Sequence, residues 1–302
     1  QAEDGIRDEN YSFELKDLEY NNDFDIKLNN LFPVIRFHYA VDENKAINLS
    51  FNRRTNRPQF QHLVAYYLVL DPSLYVGSNP QLRPTFSNTA RLSYKWKSFL
   101  IGLEANRSRF PISFYNTVDK ERNLQTSTPI NFDKMESIIV DTNFPLYIKE
   151  WYEGNFNIIS GYYRVVDKSN RPLPFDKSII SHTFQVNNTF HLPRSITANL
   201  SGRYLTPFIS GDQIQSLGVY LDFGIVKKLS NGSIAFNITD ITNTSGKIYW
   251  EYDQPELQIR TYGDNNFSQR IFRLTYSRSF GDQKLKSKRS RATSSQEERN
   301  RM

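Results

Sequence analysis

Apolar and polar residues alternate along most of this chain with a period of two. In a β-strand, successive side chains point to opposite faces, so the alternation predicts strands with one apolar and one polar face. Helical periodicity is nowhere comparably sustained. The chain is therefore predicted to be all-β. The apolar positions of the clearest predicted strands are Ile35, Phe37, Tyr39 and Val41; Ile47, Leu49 and Phe51; Ala90, Leu92, Tyr94 and Trp96; Phe99, Ile101, Leu103 and Ala105; Phe184, Val186 and Phe190; Ile196, Ala198 and Leu200; and Phe272, Leu274, Tyr276 and Phe280.

Short and long connections alternate between the predicted strands. This asymmetry is typical of an outer-membrane barrel, which has brief turns on its periplasmic side and longer loops outside. A Greek-key sandwich gives no reason for it. The tight turns are predicted at 42–44, 97–98, 147–150, 193–194 and 230–232, and the long polar connections at 55–86, 108–132, 165–178, 205–214 and 241–268.

The fold class follows from the strand count and from the polar face. Counting from a first strand near residues 11–20, we predict about twelve strands, many with the roughly 9–11 residues of a tilted membrane strand. The polar face is rich in Asn, Ser, Thr, Gly and Arg, which would be costly in a dry core. We predict an antiparallel transmembrane β-barrel with an apolar outside and a wet interior. That prediction requires Ile35, Leu49, Leu92 and Phe272 not to pack between two sheets.

Composition and charge narrow the alternatives. The 302 residues contain no cysteine, which excludes disulfides and thiolate metal sites. The chain has no apolar run of membrane-helix length, and its first ten residues do not resemble a signal peptide. Residues 281–302 carry seven Lys or Arg against three Asp or Glu, a net +4 of the total +6. We predict a barrel segment over 1–280 and a basic, disordered periplasmic tail over 281–302. The alternative for this tail is an arm that binds nucleic acid or an anionic surface, but no basic, aromatic-rich domain accompanies it, so no nucleic-acid partner is expected.

Two elements carry a resemblance to a known family. The first, RRTNRP at 53–58, ends a predicted strand, and the second, GSNPQLRPTF at 77–86, leads into the next one. Their order resembles the outer-membrane β-barrel family of Bacteroidetes-type TonB-dependent receptors, in which Arg-Arg-x-x-Arg-Pro precedes a loop containing Gly-Asn-Pro-x-Leu-x-Pro-Glu. Here Ser78 intervenes after Gly77, and Thr85 replaces the glutamate. The final strand, ending on Phe280, is similar to the terminal signal of such barrels.

The second element has a physical interpretation of its own. Pro80 and Pro84 fix their φ angles and lack an N–H, so the residues before them are expected to be extended. Gly77 is expected to adopt a backbone conformation that is closed to other residues. The stretch would return a long external loop to the membrane rim in register with the next strand. On local grounds alone, an ordinary surface turn explains it equally well.

The resemblance implies a function and a set of partners. Receptors of this family have an N-terminal plug inside a barrel of about twenty-two strands. This chain looks like the C-terminal half of such a barrel, or a truncated relative, in the outer membrane of a Gram-negative cell. The resemblance implies uptake of a small nutrient driven by TonB, with the plug and TonB acting in the full-length protein and membrane lipid around the barrel. It leaves a surface lipoprotein partner open.

Candidate ligand contacts lie in the longest predicted loop and just before it. Tyr66, Tyr67 and Tyr75 could stack on a sugar or clamp a peptide. Arg54 and Arg57 could bind an anion. The alternative assigns the tyrosines to the aromatic girdle and the arginines to salt bridges inside the barrel.

No catalytic, metal or cofactor site is predicted. The four histidines, His38, His62, His182 and His191, are scattered without metal-ligand spacing or a Gly-x-Ser-x-Gly partner. His38 and His182 are expected to lie on strands, as interior or rim residues. Two other functions remain open: a soluble secreted β-sandwich that binds carbohydrate, and an outer-membrane barrel enzyme.

Overall fold

A computed structural model describes residues 30–64, 66–119, 121–122, 124–168, 174–254 and 259–280. They form strands and one four-residue helix, so the predicted all-β class is confirmed. None of the helical structure in these residues is long and apolar enough to span a bilayer. The strands are β1 (Val34–Asp42), β2 (Lys45–Asn56), β3 (Tyr67–Asp71), β4 (Leu74–Gly77), β5 (Thr85–Trp96), β6 (Phe99–Arg109), β7 (Ile112–Asp119), β8 (Leu124–Asn131), β9 (Lys134–Ile148), β10 (Tyr152–Asp167), β11 (Phe175–Leu192), β12 (Ile196–Leu205), β13 (Phe208–Ser210), β14 (Gln213–Leu217), β15 (Tyr220–Leu229), β16 (Gly232–Thr239), β17 (Lys247–Gln254), β18 (Ile259–Asn266) and β19 (Ile271–Arg278), and the helix is α1 (Phe60–Leu63).

Eleven strands form one antiparallel meander, the main sheet. Their order is β1-β2-β5-β6-β9-β10-β11-β12-β15-β16-β19, which follows the order of the chain. Within the described residues this sheet is open, with β1 and β19 at its edges. The main sheet has eleven strands, whereas about twelve are predicted from the sequence. The additional strand, predicted near 11–20, lies outside the described residues. The tail at 281–302 also lies outside them.

The predicted alternation of tight turns and long connections is confirmed. Two or three residues join β1 to β2, β5 to β6, β9 to β10, β11 to β12 and β15 to β16. Positive φ angles at Lys97, Lys149, Arg194 and Ser195 reverse the chain within three of these turns. Because successive connections of a meander lie at opposite ends, all five tight turns lie at one end of the main sheet. The five long connections lie at the other.

The main sheet has one apolar face, and that face is exposed. The exposed fractions of Ile35, Leu49, Leu92 and Phe272 are 62%, 51%, 47% and 63%. These four side chains are therefore not packed between two sheets, and the requirement of the barrel prediction is met. A soluble sandwich would bury the same residues.

The eight remaining strands build two small sheets within the long connections. The first loop sheet has the order β3-β4-β8-β7, with β4 and β8 parallel, and the second has the order β13-β14-β17-β18. The remaining long connection, from β10 to β11, spans 168–174. Four long connections are thus structured rather than extended loops.

A compact apolar core lies where these loop sheets meet the main sheet. Tyr115, Phe132 and Val165 are buried, and the Phe132 and Phe175 rings contact edge to face with centroids 5.2 Å apart. Ile209 of β13 packs against the same cluster. The core therefore joins β7, β10, β11 and β13, and it holds the loop sheets at one end of the main sheet.

The stretch 77–86 does return the chain to β5, but Gly77 plays a different part from the predicted one. Its φ is not positive, so the expected backbone conformation is wrong. A Cβ atom at this position would instead lie 2.8 Å from a ring carbon of Tyr67 on the neighbouring strand. A side chain at position 77 would therefore force the Tyr67 ring to shift, because this ring lies against the Gly77 backbone. The sequence alone does not reveal this contact, because the contact depends on the pairing of β3 with β4.

We predict that Leu92→Arg destabilises the protein by about 2–4 kcal/mol, because it places a charge on the lipid-facing side of a membrane strand. The matched variant Ser93→Arg, on the polar face of the same strand, should cost much less. Urea unfolding of the full-length protein in phosphatidylcholine vesicles measures both changes. Equal losses at the two positions would contradict the assignment of the faces.

Candidate functional site

Side chains on the polar face of the main sheet hydrogen-bond across neighbouring strands. Arg91 of β5 lies 2.7 Å from Asp141 of β9 and 3.4 Å from Glu104 of β6. A polar face of this kind suits contact with water and polar solutes, because its hydrogen-bonded side chains remain solvated. Further pairs join Asn48 to Ser93, Thr89 to Asn106, Ser87 to Ser108, Asn143 to Asn155, and Asn157 to Gln185.

A cleft of about 350 Å³ lies on this polar face over β11, β12 and β15. The strand register assembles it, because Gln185 pairs with Arg203, and Arg203 in turn pairs with Tyr220. The cleft therefore presents a guanidinium, a phenol, two amides and a hydroxyl on one surface. Its lining residues are Gln185, Asn187, Ser201, Gly202, Arg203 and Tyr220.

The charge in this cleft is a cation without a carboxylate partner. Tyr220 donates a hydrogen bond to Asp222, which also accepts one of 2.7 Å from the Asp240 main-chain N–H. Arg203 itself is exposed and has no ion pair within the part of the chain that the structure describes. An exposed guanidinium beside neutral donors can bind a carboxylate or another planar anion through two parallel hydrogen bonds.

The two loop sheets are fixed to each other through Asp212, which lies between β13 and β14. Its carboxylate accepts hydrogen bonds of 2.9 Å from the Asn116 main-chain N–H and from the Asn116 side-chain amide. The preceding residue, Gly211, has a φ of +66°, and a Cβ there would lie 2.5 Å from the Phe114 carbonyl oxygen. Burial raises the pKa of the Asp212 carboxyl, and the hydrogen bonds from Asn116 oppose that rise. This contact closes the loop sheets against each other.

A second turn beside the cleft is organised by Asp240. The carboxylate accepts hydrogen bonds from the Thr244 main-chain N–H, the Ser245 main-chain N–H and the Ser245 hydroxyl. Burial opposes ionisation of Asp240, but these hydrogen bonds together lower its pKa. The Asp240 φ of 54° requires such support. The turn connects β16 to the second loop sheet.

The predicted ligand residues lie elsewhere, at the loop end of β2 and in the first loop sheet. Arg54 is near the end of β2, opposite Ser87, and Arg57 follows the strand; both are exposed. Tyr67 and Tyr75 belong to paired strands β3 and β4, and Tyr66 immediately precedes β3. None of the five residues lines the cleft around Arg203. Their ligand contacts stay a prediction.

The sequence did contain a signal for the residues that were missed. Arg203 continues the polar positions Thr197, Asn199 and Ser201 of the predicted strand by one more step. Its neighbours Gln185 and Tyr220 come from strands separated by long connections in sequence, so only the register identifies them as a set.

The histidines are dispersed in the structure as in the sequence. His38 contacts Asn48 at 2.6 Å, as expected for a residue of the polar face. His182 contacts Ser160 at 2.9 Å, but this pair shares the face of Phe184 and Ile180, contrary to the expected interior or rim position. Within the described residues, no three histidine or acidic side chains lie together as a metal site would require.

A sequence model of the outer membrane protein beta-barrel family matches residues 1–278. The chain belongs to this family. The protein therefore resides in the outer membrane of a Gram-negative cell. Among curated proteins, none matches the chain.

Solved structures similar to this outer membrane protein include three mutant forms of the ferric enterobactin receptor of Pseudomonas aeruginosa, one of them in complex with enterobactin. The sequence identities are 12%, 12% and 11%, and each TM-score is 0.45. Each alignment covers 70% of this chain and 35% of the receptor chain. The chain thus corresponds to well under two thirds of the length of these receptors.

Family membership orients the molecule in the membrane. Outer-membrane barrels have short turns on the periplasmic side and long loops outside. The tight-turn end of the main sheet is therefore periplasmic, and the two loop sheets lie on the external side. The cleft around Arg203 is next to the external connections of β12 and β15.

We predict that the contact between the loop sheets weakens as pH rises. Because burial raises the pKa of Asp212 above its ordinary 3.8, the folded state holds this proton more tightly than the unfolded state. The resulting stabilisation is complete below pH 3.8 and is lost as pH rises through the raised pKa. Hydrogen exchange of the β7 and β13 amides, corrected for intrinsic rates between pH 4 and 7, should show this loss in the wild type. Asp212→Asn should abolish it, and an identical pH dependence in both proteins would refute the assignment.

Proposed function

We propose that this chain is the barrel part of an outer-membrane receptor that imports a small nutrient with energy from TonB. In the full-length protein, an N-terminal plug and TonB would complete the system. The observation that carries the proposal is the two-faced sheet: an exposed apolar face for lipid, and opposite it a hydrogen-bonded polar face with an open cleft. A barrel serving only as an anchor has no need of a polar cleft.

The cleft favours an anionic nutrient. Among the described residues that line it, Arg203 is the one cation, and Gln185, Asn187, Ser201 and Tyr220 add neutral hydrogen-bonding groups. Such a set binds a negatively charged or catechol-like group by charge-assisted hydrogen bonds and ring contact. None of these contacts indicates a lipoprotein partner, and we do not propose one.

We propose no enzymatic activity for the described part of the chain. Ser160 and His182 resemble a nucleophile and base, but Ser160 lies in mid-strand, paired with Val140 on one side and His182 on the other. The surrounding main-chain N–H groups belong to the strand ladders, so they are not available to stabilise an oxyanion. A cross-strand hydrogen bond between two polar residues on an apolar face explains this pair.

Energy-dependent uptake tests the proposal. A strain lacking the complete gene is compared with a complemented strain for uptake of labelled ferric enterobactin, cyanocobalamin and maltopentaose, with and without a protonophore. We expect one substrate to be taken up only by the complemented strain, and only when the membrane is energised. Uptake that is unchanged by the protonophore would contradict a TonB mechanism.

We further predict that Arg203→Gln lowers uptake of an anionic substrate about tenfold, through the loss of a charge-assisted contact of roughly 1.4 kcal/mol. Arg36→Gln is the matched control, because Arg36 is an exposed arginine on the polar face of β1, away from the cleft. Initial uptake rates at subsaturating substrate give the comparison. Equal effects of the two variants would remove the cleft from the mechanism.

A further inference from the structure

A charged surface lies on the lipid side of the main sheet, immediately beyond its apolar band. The strand register defines it row by row. Ala105, Ile138, Tyr162 and Ile180 stand side by side on four adjacent strands, and they form the last apolar row toward the external end. The same face then changes abruptly from apolar to charged.

Two charged rows follow this apolar row on the same face. We name their charged members the rim patch. It contains four cations and two acids, a net charge of +2. The first row is Arg107, Glu136, Arg164 and Ser178, and the second is Arg109, Lys134, Val166 and Asp176.

The two acids are shared among several cations. Arg164 makes a bidentate pair with Asp176, with N–O distances of 2.7 and 2.6 Å. Glu136 lies 3.1 Å from Lys134 and 3.5 Å from Arg107. Outside the two rows, the Lys168 ammonium lies 3.5 Å from Asp176, and its main-chain N–H donates to Asp133. Each carboxylate of the rim patch is therefore already paired with at least two cations.

One cross-strand pairing within the rim patch is unfavourable as it stands. Arg109 and Lys134 are directly opposite each other across β6 and β9. Like charges in register across strands destabilise a sheet. Lys134 has Glu136 beside it, but Arg109 is exposed and has no acidic partner in the described ranges. An anion between the two side chains would turn this repulsion into attraction.

The position of the rim patch identifies the anion. It faces outward, one row beyond side chains that contact lipid tails, at the external end of the strands. Lipid headgroups occupy that depth, and arginine and lysine together bind a phosphate through several charge-assisted hydrogen bonds. We infer that the rim patch binds the phosphate of an outer-leaflet lipid, with Arg109 and Lys134 as its principal ligands.

Lipid binding to the full-length protein tests this inference. The probes are diphosphoryl lipid A, dephosphorylated lipid A and inorganic phosphate, and binding to the detergent-purified protein is measured by native mass spectrometry. We expect the wild type to retain the phosphorylated lipid preferentially, and the double variant Arg109→Gln/Lys134→Gln to bind it about tenfold more weakly. Glu136→Gln should bind it more tightly, because one competing carboxylate is lost.

The control variant carries the same change of charge at the opposite rim. Lys95→Gln/Lys228→Gln removes two exposed lysines from the polar face at the tight-turn end, where the inference predicts no effect on this lipid. Heat-modifiable migration in gels verifies that each variant is folded. Equal binding by the rim-patch and control variants would overturn the inference, as would displacement of the lipid by equimolar inorganic phosphate, which indicates a simple anion site.

Discussion

Lipid tails offer no hydrogen-bond partners, so each main-chain N–H and C=O that crosses the membrane must find its partner within the protein. In the main sheet each strand pairs with the main-sheet strands before and after it in the chain, so that within the described residues only the outer edges of β1 and β19 are left without a neighbouring strand. Along each strand the side chains then alternate between the two faces of one continuous sheet. One face contacts hydrocarbon and the other water, which is why the apolar side chains of the main sheet are exposed.

The long connections obey a different constraint, because they leave the membrane and must bury their apolar groups against other parts of the protein. Two small sheets achieve this around Phe132 and Val165. The Asp212 carboxylate and the positive φ of Gly211 close the contact between these sheets. A loop region built in this way can hold the external end of the polar face in a defined shape, which a set of unstructured loops could not.

The arginines of this protein differ in role although their chemistry is the same. Arg91 lies between Asp141 and Glu104, so its charge is balanced within the polar face. Arg203 has neutral neighbours and an open cleft before it. Arg109 lies on the other face, opposite another cation. Strand parity decides whether a guanidinium faces water or lipid, and register decides which side chains lie next to it. Together they determine these roles.

Much of the architecture could be predicted from the chain alone. A period of two is a local property, so the strands and the exposed apolar face followed from it, and the spacing of turns predicted a meander with one short-turn end. The part played by Gly77, the cleft around Arg203 and the rim patch could not be predicted. Gly77 is constrained by a ring from β3, and the cleft and rim patch combine residues from three or four strands. Such neighbours depend on long-range register and on the folding of the loops, and local alternation carries no information about either.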